Sequence, residues 1–350
     1  MGFIAAIVVL SLLIFFHELG HFIAARALGV KVETFSIGFG KKLWAKTIGG
    51  TEYAISAIWL GGYIKMKGQD DSDPTARSGE ADAFDSKKPW QRIVILFAGP
   101  FANFVIAFTL FWITALIGFD AIAPTIGKVL EDSPASGAGL QAGDTITLID
   151  GANVESWNQM SALIRESQNT IELAIRRGGE TLTIVLSPEL GEGENIFGEK
   201  EKRKMIGVSA SDDKVTLRYG AIEGLFVAWH RTIDAGTLIF QSVIKLITGV
   251  LGLENVGGIV TVVDVMAKAS EIGLATLLII AAVISVNLGV LNLLPIPALD
   301  GGHIIFNLYE QITRRAPNET ILYRLTIGGW GVLCALMALG LYNDIARIMR

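Results

Sequence analysis

Four long apolar stretches set the terms on which this chain can fold. Residues 3–25, 93–119, 272–294 and, marginally, 327–341 reach the length a helix needs to cross about 30 Å of hydrocarbon. Backbone at that depth must satisfy its own amides, so helices are the expected form. The rest is too polar for a bare bundle: of 350 residues, 51% are hydrophobic and 18% charged, which fits a membrane protein carrying a water-exposed insert. A net charge of −5, with no Lys/Arg cluster interleaved with aromatics, argues against a nucleic-acid partner. Cys334, the single cysteine, cannot form an intramolecular disulfide and is expected to pack inside the last apolar stretch. The first sixteen residues carry no charge and lack the basic flank and small-residue cleavage site of a removable signal, so the first stretch reads as a retained anchor. A further stretch, 237–253, has Lys245 at its centre and glycines after it, and is expected as an amphipathic helix on or between the spans.

Charge sets the expected orientation. Residues 26–92 hold eleven Lys/Arg, among them Arg26, Lys31, Lys87, Lys88 and Arg92 close to the membrane ends, so this loop is expected on the cytoplasmic side. Arg314, Arg315 and Arg324 mark the loop between the last two spans in the same way, which places 120–271 and both termini outside. Arg176, Arg177 and the basic residues of 200–204 do not oppose this, because long folded domains translocate largely regardless of charge.

Within the cytoplasmic loop, β-prone runs at 34–37, 52–58 and 63–66 are punctuated by glycine pairs, which is hairpin chemistry too apolar to lie freely in water. The acidic "QDDSDPTARSGEADAFDSKKP" that follows is expected to be flexible. In the outer insert, strands are expected at 145–149, 170–176 and 181–186, with one helix at 156–165 and a charged linker at 190–204. Its "SPASGAGLQAGD", followed by "ITLIDGANVESW", resembles a bacterial PDZ domain. That resemblance implies a groove taking an extended peptide as an added strand, such as a substrate's new C-terminus, or a bulk that excludes large outer domains.

The chemistry begins in "LLIFFHELGHFIAA". His17 and His21, four residues apart, emerge on one helix face, and two imidazoles so placed can bind one zinc ion. Glu18 is offset around the helix so that it addresses a water on the metal instead of the metal itself. Three ionisable groups within five residues of a membrane span cost about 2.5–3.5 kcal/mol for each charged acid and point to function. A catalytic zinc needs a third protein ligand. Asp300, in "SVNLGVLNLLPIPALDGGHIIF", follows Pro295 and Pro297, where the helix must unwind near the bilayer interior. His303 is an alternative ligand that spacing leaves open, whereas His230 has no partner motif and reads as structural. Gly99 and Pro100 suit close helix packing, and Asn103 suits either a polar crosslink or a site role. Trp59 and Trp90 suit interfacial anchoring.

"HELGH" and "NLLPIPALDGG", with "GGYIKM" and "GPFAN" between them in order, resemble the site-2 protease family of intramembrane zinc metalloproteases, in its bacterial RseP-type branch. The resemblance covers nearly the whole chain. It implies His17, His21 and Asp300 as zinc ligands and Glu18 as general base. It also implies that Asn287 and Asn292 hold substrate, and that the loop of Gly61, Gly62, Tyr63, Ile64, Lys65 and Met66 enters the membrane as β-structure whose edge pairs with it. Well-known proteobacterial members carry two PDZ modules in tandem, whereas one is visible here.

The expectation is thus a polytopic α-helical membrane protein with four transmembrane helices, a membrane-associated β-hairpin loop and an inserted α+β PDZ domain. Residues 1–119 hold the first two spans and the β loop, 120–218 the PDZ domain and linker, 219–271 amphipathic helices, and 272–350 the last two spans. Its expected work, in the bacterial cytoplasmic membrane, is zinc-dependent cleavage within or near transmembrane segments of single-span proteins, such as anti-sigma factors, or of remnant signal peptides. The rival reading is a membrane-tethered PDZ protein with a vestigial site that captures peptides.

Overall fold

The first apolar stretch forms one helix, α1 (Gly2–Ala27), in a computed structural model that describes residues 2–69 and 78–349. Gly29 at φ 71° ends α1, and the Val30 amide returns to the Ala25 carbonyl at 2.8 Å, a glycine-terminated cap that satisfies the last turn. Two long antiparallel strands follow, β1 (Val32–Ile48) and β2 (Thr51–Met66), joined through Gly49 and Gly50. Both glycines have positive φ, 60° and 83°, as a two-residue hairpin turn with native twist requires.

The three expected runs become two strands because both bend. Residues 34–37 pair with 52–55 on one side and with 62–65 on the other, while 44–48 close against 51–55. The bend in β1 occurs at Gly38 and Gly40, with φ 86° and 83°. Along 62–66 the only strand partner among the described residues is the start of β1, which leaves that stretch as an open edge. Part of the acidic segment, 70–77, lies outside the described residues. The rest departs from the expected flexibility: Phe84 is buried beside Val30, Val32, Met66 and Ile95, and Lys67 pairs with Glu80 and Asp82. One aromatic side chain in a polar run was enough to anchor it. The second apolar stretch is α2 (Pro89–Ile117), with Pro100 inside it.

The chain divides into two compact units, Met1–Thr114 with Ile222–Arg350, and Ala115–Ala221. The second unit opens with β3 (Phe119–Ile122), β4 (Ile126–Val129) and a short α3 (Pro134–Gly137). Next come β5 (Thr145–Ile149), β6 (Ala152–Asn153), α4 (Trp157–Glu166), β7 (Ile171–Arg177) and β8 (Glu180–Leu186). The sheet order is β6-β5-β7-β8, all antiparallel. Asp150-Gly151 and Gly178-Gly179 make its tight turns, each residue with positive φ. Ser156 caps α4 by accepting from the Gln159 amide, and Met160 and Ile164 of α4 pack on Ile146, Ile171, Leu173 and Ile175.

Residues 190–204 are not a linker but a hairpin, β9 (Glu189–Glu194) with β10 (Lys200–Met205). The opposed charges explain it, since Glu194 faces Lys200 and Glu192 faces Lys202 across the ladder. β11 (Val208–Ala210) and β12 (Lys214–Leu217) pair back onto β4 and β3 and close the unit.

The first unit resumes with α5 (Ala221–Ile247), sixteen residues earlier than expected and ending before Gly249. Ile222, Phe226, Trp229 and Ile233 already repeat at helical spacing there and stay exposed, which gives α5 the amphipathic character expected further along. Next are α6 (Ile259–Ile272) and α7 (Leu274–Asn292), the third apolar stretch divided at Gly273. α8 (Asp300–Thr313) and α9 (Glu319–Ile348) complete the fold. α9 far outruns 327–341, because Asn318 caps it by accepting from the Thr320 and Ile321 amides and polar residues at its ends do not stop a helix. Cys334 is exposed on α9 instead of packed, since few side chains of this helix meet protein. α1, α2, α7 and α9 are long and apolar enough to cross a membrane.

Candidate metal centre

His17 and His21 share the face of α1 that meets α2, and two glycines make the meeting possible. A Cβ at Gly20 would lie 2.2 Å from the Ala98 carbonyl oxygen, and one at Gly99 would lie 2.2 Å from His21 Nε2. Backbone touches backbone at the first glycine; a ring covers the second. His21 Nδ1 is 2.8 Å from the Ile95 carbonyl oxygen, which can only accept, so that nitrogen carries the proton and Nε2 keeps its lone pair.

Asp300 arrives from the other end of the sequence. α7 stops at Asn292, irregular backbone runs from 293 to 299, and Asp300 is the first residue of α8. The two glycines after it are sterically required: a Cβ at Gly301 would meet the Leu293 carbonyl at 2.4 Å, and one at Gly302 the Ile296 carbonyl at 2.3 Å. The loop therefore lies directly on the start of α8. A carboxylate there also faces the positive end of the helix dipole.

The three side chains converge. His17 Nε2 and His21 Nε2 are 3.2 Å apart, and Asp300 Oδ2 is 3.4 Å from each. A tetrahedral zinc site with bonds of about 2.0–2.1 Å has ligand-to-ligand edges of about 3.3–3.4 Å, so the triangle has the size a zinc ion needs. Asp300 Oδ2 is buried and makes no hydrogen bond, an orphan acceptor beside two imidazole nitrogens that a cation would satisfy. Among the described residues, these are the His, Cys, Asp and Glu side chains grouped closely enough to hold a metal.

Glu18 lies beside the open edge of β2: a Cβ at Gly62 would sit 3.6 Å from its Cγ and 2.9 Å from the Ser36 carbonyl. A strand added at 62–66 would therefore pass near the carboxylate. Asn103 is fully buried with its carboxamide nitrogen 3.0 Å from His17 Nδ1, and its own carbonyl accepts from Ser285 of α7 at 2.8 Å.

Other expected positions fall elsewhere. His303 lies on α8 outside the cluster, its ring edge-on to Phe306 with centroids 6.2 Å apart. His230 is exposed on α5 and bonds its own helix at the Phe226 carbonyl. Asn287 is exposed on α7, and Asn292 donates to the Leu288 carbonyl at 3.0 Å in the last turn of that helix. Two groups escaped the sequence reading, the Ile95 carbonyl and the Arg92–Glu310 ion pair at 2.7 Å between α2 and α8. A carbonyl has no residue signature, but the four-residue spacing of Ile95, Gly99 and Asn103 was there to be read.

The sequence model of peptidase family M50 matches residues 5–336. The chain belongs to peptidase family M50. It is 44% identical over 348 residues to a Campylobacter jejuni protein, covering 99% of this chain and 94% of that one. To a Helicobacter pylori protein it is 37% identical over 353 residues, covering 99% and 100%. Both relatives bear the name "Putative zinc metalloprotease". This M50 chain is accordingly a zinc metalloprotease with apolar helices of membrane-spanning length. A PDZ domain solved from a Listeria monocytogenes protein is similar to 27% of this chain and 90% of its own, at 23% identity and a TM-score of 0.21.

Proposed function

We propose that this M50 protease cuts peptide bonds within or near transmembrane segments, acting on single-span membrane proteins or remnant signal peptides. The observation that carries the reading is the position of HExxH inside a continuous 26-residue apolar helix, not in a cleft of a water-exposed domain. Irregular backbone such as 293–299 is tolerated at that depth only when buried in protein or lining a wet cavity, and an active site meets both conditions.

His17, His21 and Asp300 would hold the zinc. When bound, zinc would supply Lewis acidity, making water a far stronger acid and so a nucleophile near neutral pH. Glu18 would take the proton from the attacking water and pass it to the leaving amine. A helical substrate hides its carbonyls, and the open edge at 62–66 answers that: Gly61, Gly62, Tyr63, Ile64, Lys65 and Met66 would pair with the substrate as an added strand, exchanging helical hydrogen bonds for sheet bonds. Asn287 or Asn292 would donate to the unwound backbone or the developing oxyanion. The 115–221 unit would be a PDZ-like module outside a bacterial cytoplasmic membrane, with residues 26–92 on the inner side.

Glu18→Gln tests the reading. It should lower cleavage of a single-span reporter in proteoliposomes by about 10²–10⁴-fold while about one zinc per chain is retained. Wild-type cleavage by this variant would remove Glu18 from the chemistry, and failure of the wild type to cut any membrane-embedded segment would overturn the proposal. The rival vestigial site is disfavoured because no group of the set is missing.

A further inference from the structure

α2 donates no ligand, yet it touches both imidazoles. Residues 92, 95, 99 and 103 form one stripe of the helix. Arg92 binds Glu310 of α8, the Ile95 carbonyl takes the His21 Nδ1 proton, Gly99 seats the His21 ring, and Asn103 meets His17. Of these, the Ile95 carbonyl fixes the His21 tautomer and Gly99 gives its ring a seat. Among the described residues, the side chain that meets His17 Nδ1 is Asn103.

We propose that Asn103 is a positioning residue whose carboxamide oxygen accepts the His17 Nδ1 proton, so that His17 Nε2 faces zinc with its lone pair free. This rests on the zinc-protease reading above. The argument starts from an inconsistency. Asn103 Nδ2 lies 3.0 Å from His17 Nδ1, and Oδ1 is buried without a partner. An amide nitrogen donating to Nδ1 would force the ring proton onto Nε2, the atom that lies 3.2 Å from His21 Nε2 and 3.4 Å from Asp300 Oδ2. A proton there blocks ligation. The oxygen and nitrogen of a carboxamide differ little in size and are assigned by their hydrogen bonds, so a half-turn about the last side-chain torsion exchanges them in place. The exchange gives Nδ1–H an acceptor and makes His17 match His21, whose Nδ1 already faces the Ile95 carbonyl. One amide atom of Asn103 stays without a protein partner in either orientation, so the imidazole's requirement decides which. The side chain can hold this orientation because it is fully enclosed and its backbone carbonyl is tied to Ser285 at 2.8 Å.

Metal affinity of purified protein in detergent reads this directly, by competition with a chromophoric zinc chelator. Asn103→Leu, of similar size with no acceptor, should weaken zinc binding about 10–100-fold, the usual cost of losing a partner behind a metal-binding histidine. Asn103→Asp keeps the acceptor and should hold zinc within a few-fold of wild type, with the visible spectrum of the cobalt-substituted protein unchanged. A simple packing role predicts the opposite order, because a carboxylate buried without a proton to accept is the worse substitution. Wild-type affinity in Asn103→Leu overturns the inference. So does an Asn103→Asp protein that loses zinc as Asn103→Leu does, and this arm needs only the isosteric variant to fold. Absence of zinc from the wild type would instead defeat the protease reading, so the two failures are told apart.

Discussion

At the scale of single residues, the site is built as much from absent side chains as from present ones. Gly99→Ala puts a methyl group where the His21 ring lies, with 2.2 Å available. The ring must turn away from the Ile95 carbonyl, so zinc content measured by mass spectrometry should fall by about tenfold or more, and cleavage with it. A second residue-scale prediction concerns Asp144, whose side chain is 1% exposed in the other unit. Burial raises its carboxyl, but two hydrogen bonds from Arg177 and one from the Gln141 amide outweigh that and hold it below the usual carboxylate range. A carboxyl lowered on folding adds stability above its unfolded value near 3.9, and loses it as pH falls through the folded value. Asp144→Asn should therefore melt below the wild type at pH 7, by about 2 kcal/mol of stability, and in thermal melts the gap should begin to narrow below about pH 4 and close only beneath the folded value. The imidazole pair could be seen in the sequence because four-residue spacing on a helix is a local fact. The choice between Asp300 and His303 was not local, since it depends on how 293–299 folds over two glycines.

At the scale of elements, α2 is the brace between α1, which carries His17 and His21, and α8, which carries Asp300. Its pair with α8 joins Arg92, 10% exposed, to Glu310, 22% exposed, and Arg92 Nε is already buried without a partner. Removing one charge strands the other. Glu310→Ala should lower stability by about 2–3 kcal/mol, seen as a lower melting temperature in micelles, while Arg92→Met with Glu310→Met together should recover most of it. Local patterning revealed most elements and missed those made by pairing. The glycine pairs announced the β1–β2 turn, but the double use of 34–37 between 52–55 and 62–65 comes from bends at Gly38 and Gly40 that no alternation encodes. Likewise, 190–204 reads as charged linker until Glu192 and Glu194 are set opposite Lys202 and Lys200. The amphipathic stretch around Lys245 belongs to a longer helix, α5, which reaches back to Ala221 by helical period and not by unbroken apolarity.

At the scale of the whole chain, four apolar helices and the Lys/Arg of residues 26–92 lead to an expected sidedness. In a Cys334→Ser background, Ser187→Cys should react in intact cells with a maleimide that cannot cross the inner membrane. Lys46→Cys should react only after lysis, and the reverse pattern would invert the topology. The four long apolar helices were legible because hydrocarbon thickness sets a length that an apolar run can be measured against. Finally, consider the imidazoles of α1 and the carboxylate of α8, which converge from positions 17, 21 and 300. An ion held among them is a fastener between the beginning and the end of the sequence, closing a ring of nearly the entire polypeptide. Ring closure on that scale costs chain entropy that grows only slowly with length, so one small cation can lock a very large circuit. Chelation would then do more than silence the enzyme: it would unclasp the belt that holds α1 against the start of α8.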